Sequence, residues 1–297
     1  KGNLSLEVID SAIDRVTSLR AELGAAPLMA SSGEAAVTAH PAGGLVLHPS
    51  GARVALPAAA TALAPAEDGD GWLAAHGRSI AVLDGDGAPV RTIEVGTEVA
   101  GIQSSRTRRK VFVDLRRKHG ARSVAVLDTA SGLVNDLVSE PLSRQTPCAP
   151  RLVLHDRFLV WPGYFDGTLA VLDTVDLRTL EPVKYSHLEV DPVSCIASAA
   201  SWFVTLHGGL DVLLWNDAKA PPLRHLQTFR NPISSIAVSP SEKIIAGCCD
   251  GSVFVDADGE EVYVDHAVGP VAVSPGAGSG FFSVGVEGSL VRHRAAA

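Results

Sequence analysis

The sequence predicts an all-β chain, seven blades of four antiparallel strands each, closed into a β-propeller. Three observations carry that prediction. The first is the stretch Ile233–His266, which reads as four short strands: Ile233–Val238, Lys243–Cys249, Ser252–Asp256 and Glu261–Asp265. Ser239-Pro240-Ser241, Asp250-Gly251 and Asp258-Gly259 separate them. Asp-Gly between apolar runs marks a tight hairpin, because glycine accepts positive φ at little steric cost. Val253 with Val255, and Val262 with Val264, give the period of two that a half-buried strand requires.

The second observation is internal similarity. Val16–His48 aligns to Ile233–Asp265 with a constant offset of 217 and no gap, so that Val16 matches Ile233, Leu28 matches Ile245, Ala36 matches Val253 and Leu47 matches Val264. The third is a recurring third strand: EAAVT (34–38), SIAVLD (79–84), SVAVLD (123–128), TLAVLD (168–173), DVLLWN (211–216), SVFVD (252–256) and SLVRH (289–293). Its matching apolar positions are Ala36, Ile80, Val124, Leu169, Val212, Val253 and Leu290, separated by 44, 44, 45, 43, 41 and 37 residues. Four strands per repeat form a meander that cannot bury both faces alone and must stack on its neighbours.

Taken in order, Asn3–Ile9 alternates Leu4, Leu6 and Val8 and is expected to form a strand. Unit one is Val16–His48, with a strand expected at Val16–Ala21, and Pro49–Ala60 follows as an outer-strand extension or surface loop. Unit two (61–95) has strands Thr61–Ala64, Trp72–Ala75, Ser79–Asp84 and Val90–Val95, with the acidic turn Glu67-Asp68-Gly69-Asp70-Gly71 after the first. Unit three runs from Val99 to Val138, and Ser139–Pro150 is a polar connector. Units four (151–185), five (192–229), six (233–266) and seven (268–294) complete the series. The last has only three strands, so the N-terminal strand is expected to complete blade seven and close the ring, removing both open edges.

The third-strand endings Leu83-Asp84, Leu127-Asp128, Leu172-Asp173 and Trp215-Asn216 stand where WD40 repeats carry Trp-Asp. Asp166-Gly167 and Asp250-Gly251 stand where those repeats carry Asp-Gly before the third strand. On these residues the chain resembles the WD40-repeat family over nearly its whole length, as a divergent member with no Trp-Asp and no Gly-His. The resemblance implies a non-catalytic scaffold for protein–protein interaction, a subunit or domain of a larger multiprotein complex, with other protein subunits as partners and no cofactor.

Composition narrows the alternatives. Hydrophobic residues make up 46% of the chain but aromatic residues only 5%, so the core must come from Val, Leu, Ile and Ala. The net charge of −8 argues against broad nucleic-acid binding, which needs a positive field. Cys148, Cys195, Cys248 and Cys249 show no CxxC spacing and read as reduced core residues, which fits an intracellular protein, cytoplasmic or nuclear. The longest charge-free stretch, Pro192–Leu210, carries Ser, Thr, His and Gly and makes a poor membrane span.

The search for chemistry returns little: no phosphate-binding glycine loop, no HExxH and no GxSxG, hence no expected catalytic or metal residues. Asp84, Asp128 and Asp173 end equivalent strands and read as turn caps. His76 and His207 read as turn or hydrogen-bonding residues, with rim contacts as the functional alternative. Trp215 reads as blade packing. The one charge anomaly is in unit three, where Arg106, Arg108, Arg109 and Lys110 precede a strand and Arg116, Arg117, Lys118, His119 and Arg122 follow it. The two clusters are expected on opposite faces of the disc, with Asp114 between them offsetting the charge. Arg116–Arg122 is the better docking point for an acidic or phosphorylated segment. Two alternative functions follow: a phosphoinositide- or RNA-binding propeller using these turns, and a propeller hydrolase or lactonase with an axial metal.

Overall fold

The computed structural model describes residues 27–40, 43–117, 121–141, 152–163, 167–185, 193–227, 232–255, 260–262, 266–277 and 280–293. These form seven antiparallel sheets in chain order, with no helix among the described residues. Blade one is β1 (Met29–Ser32), β2 (Ala35–Ala39), β3 (Leu45–His48) and β4 (Arg53–Val54). Blade two is β5 (Ala60–Pro65), β6 (Gly71–His76), β7 (Ser79–Asp84) and β8 (Pro89–Glu94). Blade three is β9 (Glu98–Ser105), β10 (Lys110–Arg116), β11 (Ala121–Leu127) and β12 (Val134–Pro141). Blade four is β13 (Val153–His155), β14 (Phe158–Pro162), β15 (Thr168–Asp173) and an outer edge in two pieces, β16 (Arg178–Thr179) and β17 (Val183–Lys184). Blade five is β18 (Val193–Ser198), β19 (Phe203–His207), β20 (Asp211–Trp215) and β21 (Arg224–Gln227). Blade six is β22 (Ile233–Val238), β23 (Ile244–Cys248), β24 (Val253–Val255) and β25 (Glu260–Val262). Blade seven contributes β26 (Ala272–Pro275), β27 (Phe281–Val284) and β28 (Leu290–His293).

The first strands form the inner ring. β1, β5, β9, β13, β18, β22 and β26 each touch the next, and β26 returns to β1. The chain is therefore a closed seven-bladed β-propeller, as the repeat predicts. Strand alternation then presents each blade's two faces to its two neighbours. Among the described residues six apolar clusters result, each shared by two successive blades. Ile80 and Leu73 meet Val111 and Leu127 between blades two and three, for example, and Val160 and Leu169 meet Phe203 and Trp215 between four and five. The other four join blades one and two, three and four, five and six, and six and seven.

Where blade seven meets blade one, Ser31 Oγ lies 2.6 Å from Ser274 Oγ and also donates to the Pro275 carbonyl, and Glu34 pairs with Arg292. Phe282 and Val284, on the side of β27 opposite Phe281, are buried as well. The expected closing strand, Asn3–Ile9, lies outside the described residues.

Blade one corrects the sequence register. Ala36, aligned above with a third strand, lies in β2, the second strand, paired with His48 of β3. The true third strand is Leu45–His48, and the fourth falls inside the Pro49–Ala60 span. The gapless alignment slipped by one whole strand because the second and third strands of a blade are both buried and both alternate, so apolar spacing alone does not separate them. The turns do: Gly33, at φ +61°, closes β1 onto β2. Val16 lies outside the described residues.

Turn chemistry places the rest. Asp84 Oδ1 accepts from Asp86 N (3.1 Å) and Ala88 N (2.8 Å), Asp128 Oδ1 from Ala130 N (2.8 Å) and Ser131 N (3.0 Å), and Asp173 Oδ1 from Val175 N (3.0 Å). These aspartates cap the turns after their strands, as expected.

Hydroxyls knit the inner ring. Ser234 and Ser235 both donate to the Val271 carbonyl, at 2.7 and 2.8 Å, and Thr61 donates to Val99 O at 2.7 Å. Gly247 leaves room for this arrangement, since a Cβ there would stand 2.4 Å from Val271 O. Gly247→Ala is therefore expected to lower the melting temperature well beyond Gly33→Ala. At Gly33 no atom lies within 4 Å and the cost is only the positive φ, about 1–2 kcal/mol. Equal shifts in thermal melts of the two variants would contradict the close approach of blades six and seven.

Candidate functional site

The basic clusters of blade three stand at opposite ends of β10, as expected: Arg106–Arg109 in the first-to-second-strand turn, Arg116 onward in the second-to-third. Their environments differ. Arg122 is a correction. It is 6% exposed, so it stands inside the blade rather than on a rim. Its Nε donates to Asp114 Oδ1 at 2.8 Å and its second terminal nitrogen to Oδ2 at 3.0 Å, in a two-pronged pair with a carboxylate of 0% exposure. It also donates to the Pro162 carbonyl (3.2 Å) and lies 6.0 Å from the Trp161 ring centre, tying blade three to blade four. A buried charge requires such a partner, and its planar fork suits the guanidinium.

Arg116 pairs with Glu98 at 3.0 Å, and Arg117 with Asp136 while donating to Ser123 Oγ at 2.9 Å. Lys118 lies outside the described residues. The cluster singled out for an acidic ligand is thus largely neutralised from within. At the other end, Arg106 donates to Ser32 Oγ and Lys110 Nζ to Thr174 O (3.3 Å). Arg108 and Arg109 form no ion pair among the described residues.

A second polar constellation was not legible as such. In blade seven, His266 Nδ1 lies 2.9 Å from Glu287 Oε1 and its Nε2 lies 3.0 Å from Ser283 Oγ. Serine, imidazole and carboxylate in series is the connectivity of an activated nucleophile. Here, however, Ser283 has 0% exposure, and its oxygen also lies 3.0 Å from His293 Nε2. Packed between two imidazoles, it has no approach for a substrate carbonyl, and the chain of bonds pins the blade. Blade five repeats the theme, with Trp215 Nε1 donating to Thr205 Oγ1 (2.9 Å), which lies 2.8 Å from His207 Nε2. Blade one has Thr38 Oγ1 3.2 Å from His48 Nε2. In all three a second-strand hydroxyl meets a ring ten residues later, at the end of the third strand: Thr38 and His48, Thr205 and Trp215, Ser283 and His293. That spacing is the signal in the sequence. His207 is accordingly an internal hydrogen-bonding residue, and Trp215 packs on Phe203 with ring centres 5.4 Å apart.

Cys195, Cys248 and Cys249 are buried and in no disulfide among the described residues, and burial pushes the Cys248 thiol up to about 12. Cys148 lies outside the described residues. No group of three or more His, Cys, Asp or Glu side chains among the described residues is placed to hold a metal ion. No helix among them is long and apolar enough to cross a membrane.

The exposed apolar side chains have an order of their own. Among the described residues, five of the six large ones, Val90, Leu133, Val175, Leu177 and Leu223, sit in or beside the third-to-fourth-strand turns of blades two to five. In an up-and-down meander these turns share one face of the disc with the first-to-second-strand turns. Cross-blade bonds on that face agree: Thr129 Oγ1 donates to Glu67, and Ser201 Oγ donates to Glu242 at 2.6 Å. Val268 stands on the opposite face.

Fold and site define a seven-bladed β-propeller with one apolar-studded face. No family model and no curated protein matches the sequence. Among solved structures the chain is similar to BamB from Moraxella catarrhalis, with a TM-score of 0.58 and 17% identity over 89% of this chain and 81% of that one. At that identity the likeness is one of fold.

Removing Asp114 strands a buried guanidinium. Asp114→Ala is expected to cost about 3–5 kcal/mol, whereas Asp114→Leu with Arg122→Met recovers most of it. Denaturant midpoints of the single and double variants test this, and a double variant as unstable as Asp114→Ala would contradict it. A second expectation concerns acid. Burial pushes the His293 imidazole down to about 4, helped by the nearby His266, and burial lowers His48 as well. Between about pH 4 and the unfolded value near 6.5 the unfolded chain binds more protons. Stability is thus full above about pH 6.5 and is lost as pH falls toward about 4. Urea midpoints should fall across that window, and less steeply in His293→Gln; identical slopes would remove His293 as the cause.

Proposed function

We propose that the chain is a non-catalytic protein–protein interaction scaffold, a subunit or domain of a larger intracellular multiprotein complex. The observation that carries this reading is the row of exposed aliphatic side chains on one face, held by turns of four successive blades. Single exposed apolar residues are ordinary, but an ordered row on a rigid scaffold is how docking surfaces are built. The third-strand endings that resemble WD40 repeats support the same reading. The buried thiols, none of them in a disulfide among the described residues, fit a reducing compartment. In this reading no residue performs chemistry and the polar networks serve the fold.

Affinity purification of the tagged protein from its native cells, washed at moderate and high salt and followed by mass spectrometry, tests the proposal. A stoichiometric set of proteins is expected. Recovery of the protein alone after the gentler wash would overturn the scaffold reading.

A further inference from the structure

The second-strand hydroxyl of blade seven differs from that of blade five in what flanks it. In blade five the ring at the end of the third strand is the Trp215 indole, whose Nε1–H can only donate, to Thr205 Oγ1 at 2.9 Å. One titratable ring, His207, lies 2.8 Å away on the other side. In blade seven the indole's place is taken by His293, and His266 stands on the other side, each with its Nε2 3.0 Å from Ser283 Oγ. Both neighbours of this hydroxyl therefore titrate. His266 belongs to the link between blades six and seven, so the chain of bonds holds that link to β27 and β28 at once.

The proton count is narrow. A hydroxyl between two ring nitrogens donates to one and accepts from the other. With both rings neutral, His266 Nδ1–H donates to Glu287 Oε1 at 2.9 Å, Ser283 donates to His266 Nε2, and His293 Nε2–H donates to Ser283. One added proton, on His266, fits when the hydroxyl turns over and donates to His293, whose own proton then sits on Nδ1. A second added proton makes both facing nitrogens donors. The Ser283 hydrogen then has no acceptor, at a site of 0% exposure, and two cations flank one oxygen.

The surroundings offer little relief. Ser283 shares a face of β27 with Phe281, which stacks on the His293 ring with centres 4.1 Å apart and belongs to the apolar cluster shared with blade six. From blade six that cluster contributes Ala237, Ile245, Val253 and Val255. Ser289 Oγ lies 3.3 Å from His266 Nδ1 and donates to Glu287. A Cβ on Gly251 would stand 2.8 Å from the His266 carbonyl, and the adjoining Asp250 accepts from Ser252 N at 3.1 Å. Arg292, on the opposite face of β28 from His293, pairs with Glu34 of blade one. Among the described residues Glu287 is the one carboxylate bonded to either imidazole.

We propose that blade seven is an acid-sensitive latch of the ring: protonation of the His266–Ser283–His293 chain releases β28 and the link from blade six while blade five stays closed. The inference is independent of the scaffold reading. It goes beyond a global loss of stability in acid by locating the first opening in one blade. A His293 imidazole that titrates near 4 when closed and near 6.5 when open raises the open fraction about tenfold or more between about pH 7.5 and about pH 5.

Hydrogen–deuterium exchange of the whole chain, read by mass spectrometry at those two pH values and corrected for the intrinsic pH dependence of amide exchange, tests this. Exchange in blade-seven peptides should rise about tenfold or more in acid, and exchange in blade-five peptides far less. His293→Trp restores the donor of blade five and should reduce the rise in blade seven to the level of blade five. Should the larger ring lower the melting temperature at neutral pH, His293→Gln, which donates without titrating, gives the same comparison. No rise in blade seven, an equal rise in both blades, or a full rise that persists in the His293 variants would overturn the proposal.

Discussion

Everything in this molecule depends on the fact that no blade can bury its own faces. A four-stranded meander has two apolar sides, and each is covered only by the next blade. Six shared clusters of Val, Leu, Ile, Ala and a few aromatic side chains do this work. They explain how a chain with 5% aromatic residues still builds a closed core. They also explain why polar groups inside it come in bonded sets. Arg122 is tolerated because Asp114 and the Pro162 carbonyl meet its donors, and Ser283 because two imidazoles flank it.

Much of the architecture was legible from residues alone. Blades two to six follow the repeat closely, and Ile233–Val238 and Ser79–Asp84 are strands with the very bounds that alternation and turn residues suggested. Blade one slipped by a strand because buried neighbours in one meander look alike to an apolar pattern, whereas the length of a turn distinguishes them. The site was less legible. Arg122 read as one cation among several, since sequence distance from Asp114 does not reveal that both project into the same interior. A hint was present: Asp114 interrupts the apolar run Val111-Phe112-Val113-Leu115, and a carboxylate there demands an internal counter-charge. The hydroxyl-to-ring pairs were visible only as a ten-residue spacing, which acquires meaning once second and third strands are known to be paired.

The exposed aliphatic side chains escaped notice for a different reason. Val90, Leu133, Val175 and Leu223 are scattered in sequence, and each alone is unremarkable. Only the common placement of the third-to-fourth-strand turns brings them to one face. Repetition thus does two jobs here. It supplies interchangeable units for the core, and it aligns the non-repeating turn residues into a surface that no single unit possesses.

The apolar interfaces have a thermal consequence. Burying apolar surface carries a large heat-capacity change, so the six shared clusters weaken together on cooling. Because each blade leans on a neighbour through such a cluster, cold loosens the ring as a unit rather than blade by blade.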